Sequence, residues 1–98
     1  MGFVEAPQAG IYRFFTVSDD GSDLWIGDKR VVNNDGLHGR QEASGKIALK
    51  AGWHSIRVRY FDAGEASTLE VLYQGPGIAK QPIPAAALCH SGQGEKAP

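Results

Sequence analysis

Residues 11–28 read IYRFFTVSDDGSDLWIGD, and this stretch decides the fold. IYRFFTV, residues 11–17, is dense in the aromatic and β-branched side chains that favour strands. Side chains alternate along a strand, so Tyr12, Phe14 and Thr16 share one face while Ile11, Arg13, Phe15 and Val17 share the other. Both faces are largely apolar, which predicts a central strand. Ser18-Asp19-Asp20-Gly21-Ser22 is turn material, and Leu24-Trp25-Ile26 resumes the strand pattern. The turn carries two adjacent carboxylates, Asp19 and Asp20, with Asp23 just beyond. Like charges side by side repel, and a hard cation such as Ca²⁺, which takes carboxylate and carbonyl oxygens, turns that arrangement into a favourable one. A solvated acidic turn, its Asp side chains bonded to local backbone N–H groups, is the other reading of the same residues.

Outward from the hairpin, glycine and proline punctuate short β-forming runs. Gly27-Asp28, followed by Lys29-Arg30, separates Leu24-Trp25-Ile26 from Val31-Val32 as a second tight hairpin. Trp25 points opposite to Leu24 and Ile26 and reads as a core or sheet-covering residue. The polar stretch 33–45 is expected to be a loop; it gathers Asn34, Asp35 and His38, which suit sugar or metal binding and equally suit a rigid loop that satisfies its own backbone. Residues 46–52 place Ile47 and Leu49 inward. Residues 53–61 alternate Ile56, Val58 and Tyr60 against Arg57 and Arg59, a half-buried strand with a basic outer face. A loop at 62–67 holds Asp62 and Glu65. Residues 68–73 alternate again and are expected to return as the hairpin partner of 53–61. Pro82 and Pro84 make 78–90 an extended strap, with one helical turn allowed in Ala85-Ala86-Ala87-Leu88.

Thirteen glycines and five prolines among 98 residues fit many turns between short strands, an all-β antiparallel sandwich or barrel. The length suits one domain, residues 1–90, with 1–9 as a lead-in and 91–98 as a polar tail. A net charge of -1 gives no electrostatic case for nucleic acid or an anionic membrane surface. No apolar run approaches the roughly 20 residues of a membrane span. The opening MGFVEAPQAG lacks the basic and apolar regions of a signal peptide. Cys89 is the single cysteine, expected as a free thiol. The chain carries no nucleophile elbow, phosphate loop or paired-histidine zinc motif, so no catalytic residue is assigned.

The ordered ensemble of residues resembles the protective-antigen-type domain, the PA-fourteen family. The resemblance lies in Gly10-Ile11-Tyr12-Arg13-Phe14, Ser18-Asp19-Asp20-Gly21-Ser22 and Leu24-Trp25-Ile26-Gly27, then in Ala51-Gly52, His54, Ile56-Arg57-Val58, Tyr60-Phe61 and Leu69-Glu70-Val71. Gly75-Pro76-Gly77 and Gln81-Pro82-Ile83-Pro84 close it. It implies a lectin-like β-sandwich, a Ca²⁺-dependent carbohydrate-binding module of a secreted or cell-surface protein whose partner is a glycan. The metal ligands it implies are Asp19, Asp20 and Asp62; the ligand-binding set is Asp19, Asp20, Asn34, Asp35, His38, Gly64 and Glu65. It places Trp25 behind the first loop as support from the core. The alternatives are a structural or interaction sandwich that binds no sugar, and a non-catalytic accessory domain of a glycosidase. Family members usually carry further strands ahead of the Gly10 position, so the sheets are expected to be incomplete there, a gap that self-association through an exposed sheet edge would close.

Overall fold

A computed structural model describes residues 2–19, 21–34, 41–60 and 68–90. Their strands are β1 Gly2–Ala6, β2 Gly10–Asp19, β3 Ser22–Ile26, β4 Lys29–Asn34, β5 Gln41–Leu49, β6 Gly52–Tyr60, β7 Thr68–Gly75, β8 Ile78–Pro82 and β9 Leu88–His90, with a 3-10 turn at Ala85–Ala87. They form two antiparallel sheets, one five-stranded in the order β4-β3-β6-β1-β9 and one four-stranded in the order β5-β2-β7-β8. The fold is an all-β sandwich.

The two-residue period explains the core. Tyr12 and Phe14 of β2 face inward with Tyr73 of β7, and meet Val4 and Ala6 of β1, Leu24 and Ile26 of β3 and Val32 of β4. Phe14 and Tyr73 are register partners, with ring centroids 6.3 Å apart. Tyr12 is pinned at its far end as well. Its hydroxyl donates to the Gln8 carbonyl at 2.6 Å and accepts the Gln8 N–H at 3.2 Å. Its ring lies against Gly75, where an added Cβ would stand 2.5 Å from the ring carbons. Gly27, at φ 61°, makes the tight turn between β3 and β4.

Four sequence expectations change. Residues 2–6 are not a lead-in: they form β1, which pairs with β6 and β9 and buries Val4 and Ala6. The polar stretch 33–45 is not all loop, because Gln41–Leu49 forms β5 and pairs with β2 from Gly10↔Leu49 to Ser18↔Gln41. The strands at 53–61 and 68–73 do not make a hairpin. β6 lies in the five-stranded sheet between β3 and β1, whereas β7 crosses to the other sheet and pairs with β2 and β8. Among the described residues, the sheet edges are also poorly suited to self-association. The outer strands β4 and β5 press on each other where Val31 meets Gly45, β8 ends in Pro82, and β9 has three residues. Short, proline-ended and covered edges resist further pairing.

Candidate functional site

Register brings six strand ends to one end of the sandwich. Ser18 pairs with Gln41, Asp19 with Thr68, and Ser22 with both Asn34 and Tyr60. The ends of β2, β4 and β6 therefore meet the starts of β3, β5 and β7. The sequence-predicted residues belong here: Asp19 closes β2 and Asn34 closes β4. Asp20, Asp35, His38, Asp62, Gly64 and Glu65 fall in the connecting segments and lie outside the described residues, as does the side chain of Asp19. Among the described residues, no three His, Cys, Asp or Glu side chains come together as a metal-holding group.

The floor of this end is a buried polar network between the sheets. Thr16 and Ser18 come from β2, Ser22 from β3 and Asn34 from β4, and all four are buried. The Ser18 and Ser22 hydroxyl oxygens are 2.8 Å apart, and Ser22 donates to the Thr16 hydroxyl at 3.0 Å. The Asn34 amide nitrogen donates to the Gln41 carbonyl at 2.8 Å and lies 3.3 Å from the Ser18 hydroxyl. Its amide oxygen accepts from the Gln41 side chain at 3.4 Å. Asn34 is 2% exposed, so its amide ties β4 to β5 and the two sheets to each other. Buried polar groups satisfied in this way fix one register.

Asp23 forms a second lock on the outer face of the five-stranded sheet, one that the sequence marks only as a third acid. It is fully buried although it points outward from the sandwich. Arg59, its register partner on β6, holds it with two hydrogen bonds, Nε to Oδ1 at 3.1 Å and Nη2 to Oδ2 at 2.7 Å. Arg30 stands 3.8 Å from Oδ2. The Arg59 hydrogen bonds, helped by its charge and that of Arg30, hold the carboxyl below its ordinary range against the opposing effect of burial. Trp25 lies on this outer face and not in the core, with the Arg57 guanidinium 5.0 Å from its ring centroid. Its indole nitrogen has no hydrogen-bond partner among the described residues; the neighbouring indole still favours the Asp23 charge. On the other side of the sheet, an apolar cleft of about 250 Å³ opens between Ile56 and Val58 of β6 and Val71 of β7.

The chain matches a known family across most of its length: the model of the PA14 domain fits residues 1–87. The chain belongs to the PA14 domain family. This PA14 domain is 31% identical over 90 residues to the anti-sigma-I factor RsgI3 of Acetivibrio thermocellus, covering 90% of this chain and 14% of that protein. A solved anti-sigma factor domain-containing protein superposes with a TM-score of 0.84 at 31% identity, over 90% of this chain and 32% of that one. A second such protein, from Clostridium clariflavum, superposes with a TM-score of 0.80 at 29% identity, over 89% of this chain and 30% of that one. The PA14 domain thus spans about a third or less of the relatives it matches.

These relatives correct the functional expectation. The curated relative and both solved neighbours bear the names of anti-sigma factors, which are regulatory proteins. The carbohydrate-binding reading and its glycan partner are overturned by that finding. The geometry agrees for Asn34, whose amide is engaged within the protein.

Proposed function

We propose that this PA14 domain is a non-catalytic regulatory module of a larger protein of the anti-sigma-factor kind. One observation carries the reading: the match to an anti-sigma-I factor runs through 90% of this chain at 31% identity. Because the domain makes up only 14% of that relative, the reading assigns sigma-factor binding to the rest of the parent and control of it to this module. The reading puts the module outside the cell, so that its influence on the sigma factor is indirect. Ca²⁺ at Asp19, Asp20 and Asp62 is retained as a structural ion that holds the three-connection end; such an ion raises the melting temperature of chelator-stripped protein by mass action, and Asp20→Ala removes the rise.

The test is a sigma-dependent transcriptional reporter in cells carrying the parent protein, intact or with residues 2–90 deleted. Deletion is expected to change the reporter's response while leaving sigma-factor capture by the parent intact, and the isolated domain is expected not to capture the sigma factor. An unchanged reporter response would sink the regulatory reading. Capture by the isolated domain would overturn the division of labour.

A further inference from the structure

We infer that the outer face of the four-stranded sheet holds a binding site for a small organic oxyanion, with its charged head between Arg13 and Lys46 and a short apolar body on Ile11. The inference stands on this face and not on the regulatory reading.

Arg13 of β2 is the register partner of Lys46 on β5 and of Gln74 on β7. One row across the three strands therefore presents two cations and a carboxamide on the same face. Directly opposed side chains stand about 5 Å apart at their β-carbons, and like charges placed so repel. Among the described residues, neither cation forms an ion pair that would relieve this. Arg13 donates to the Ser44 hydroxyl at 3.3 Å, which holds the guanidinium without neutralising it. Glu42 and Glu70, acids of the same face, both sit opposite Val17, about 13 Å along β2 from Arg13 at the usual strand rise. Glu42 is taken by Lys80 at 3.1 Å.

The cations border a cleft, and the cleft names the occupant. Ile11, Arg13, Lys46, Gln74 and Gly75 line a volume of about 250 Å³, below the roughly 300 Å³ at which drug-sized sites begin, so the ligand is small. A guanidinium fork takes two oxygens of a carboxylate or phosphate in paired hydrogen bonds. The Lys46 ammonium and the Gln74 amide are further donors of the same row. An anion seated there replaces one repulsion with two attractions. Ile11, two residues from Arg13 on the same face, is 59% exposed. A bare ion would leave that side chain in water, whereas a short apolar body covers it.

The test is an amide NMR titration of the whole chain with hexanoate, hexyl phosphate and hexanol at constant ionic strength. Saturable shifts centred on Ile11, Arg13, Lys46 and Gln74 are expected with the anions and not with hexanol, and the tighter anion names the head group. Arg13→Gln and Lys46→Gln should each weaken binding about two- to fivefold, and Arg13→Glu by more than about tenfold. Lys29→Gln, which removes the same charge from β4 of the other sheet, should leave binding unchanged. Unliganded Lys46→Gln should unfold at a urea midpoint no lower than that of the unsubstituted chain, because it relieves the opposed charges. Shifts that do not saturate with either anion, equal binding of hexanol, or equal weakening in Lys29→Gln overturn the inference. So does a lower urea midpoint for Lys46→Gln, which would mean that the ammonium is already neutralised within the protein.

Discussion

The carbonyl oxygen of Val31 lies 1.7 Å from where a β-carbon on Gly45 would stand. The two residues belong to β4 and β5, the facing outer strands of the two sheets. Only glycine allows that approach, because the obstacle is backbone and cannot rotate away. Gly45→Ala is therefore expected to cost about 3 kcal/mol, the upper part of the range for overpacking. Urea unfolding checks this, and a loss below about 1 kcal/mol would show that β4 can move off β5.

Tyr12 joins the core to the β1–β2 connection. Its ring fills the space over Gly75, while its hydroxyl closes a pair of bonds with the Gln8 backbone. Tyr12→Phe keeps the ring and removes the bonds. The expected cost is about 1–2 kcal/mol, the usual consequence of leaving backbone groups without their partner. Thermal melts of the pair measure it; an unchanged melting temperature would mean that water replaces the hydroxyl at no cost.

The central strand and the β3–β4 hairpin are legible in the sequence because their signals are local. Aromatic and β-branched residues alternate over 11–17, and Gly27 turns the chain with a positive φ. What lies further apart is not legible. β5 begins in a stretch of turn-forming residues, yet β2 supplies a nine-residue partner that overrides local preference. β6 and β7 both alternate cleanly, and alternation reveals which face is buried but not which sheet receives the strand. The site divides in the same way. Asn34 stands out as a polar residue in a polar run, but its burial depends on Gln41 and Thr16, which approach only through pairing. Asp23 becomes a lock because β3 lies beside β6, placing Arg59 opposite it thirty-six residues away.

Asp23 gives the domain an acid limb. Its folded pKa is depressed, with the Arg59 hydrogen bonds as the largest cause. A depressed carboxyl contributes stability above its unfolded pKa of about 3.9 and loses it as pH falls through the folded value. Stability from this group should hold between about pH 7 and pH 5 and decline below about pH 4. Asp23→Asn should lower stability near neutrality by about 1–2 kcal/mol, since its arginine partners remain solvated, and should flatten the acid decline. Urea midpoints against pH for the two proteins decide it; parallel curves would show that Asp23 is not the group responsible.

Asn34 offers the opposite pH signature. Its amide nitrogen donates to the Gln41 carbonyl, and the Thr16 carbonyl and hydroxyl lie 3.4 Å from it. Asn34→Ala takes away the donor to the Gln41 carbonyl at a buried side chain and should cost about 2–3 kcal/mol. Asn34→Asp puts a carboxylate oxygen where the donor was, facing carbonyl oxygens at a side chain that is 2% exposed. Burial without a cation raises a carboxyl's pKa, so the folded form retains its proton to higher pH than the unfolded chain. The linkage sign then reverses: the variant is least impaired near pH 4 and loses further stability as pH rises toward 7. Denaturation of Asn34→Asp at both pH values checks this, and a variant more stable at pH 7 than at pH 4 would show that a cation or water reaches this floor and compensates the charge.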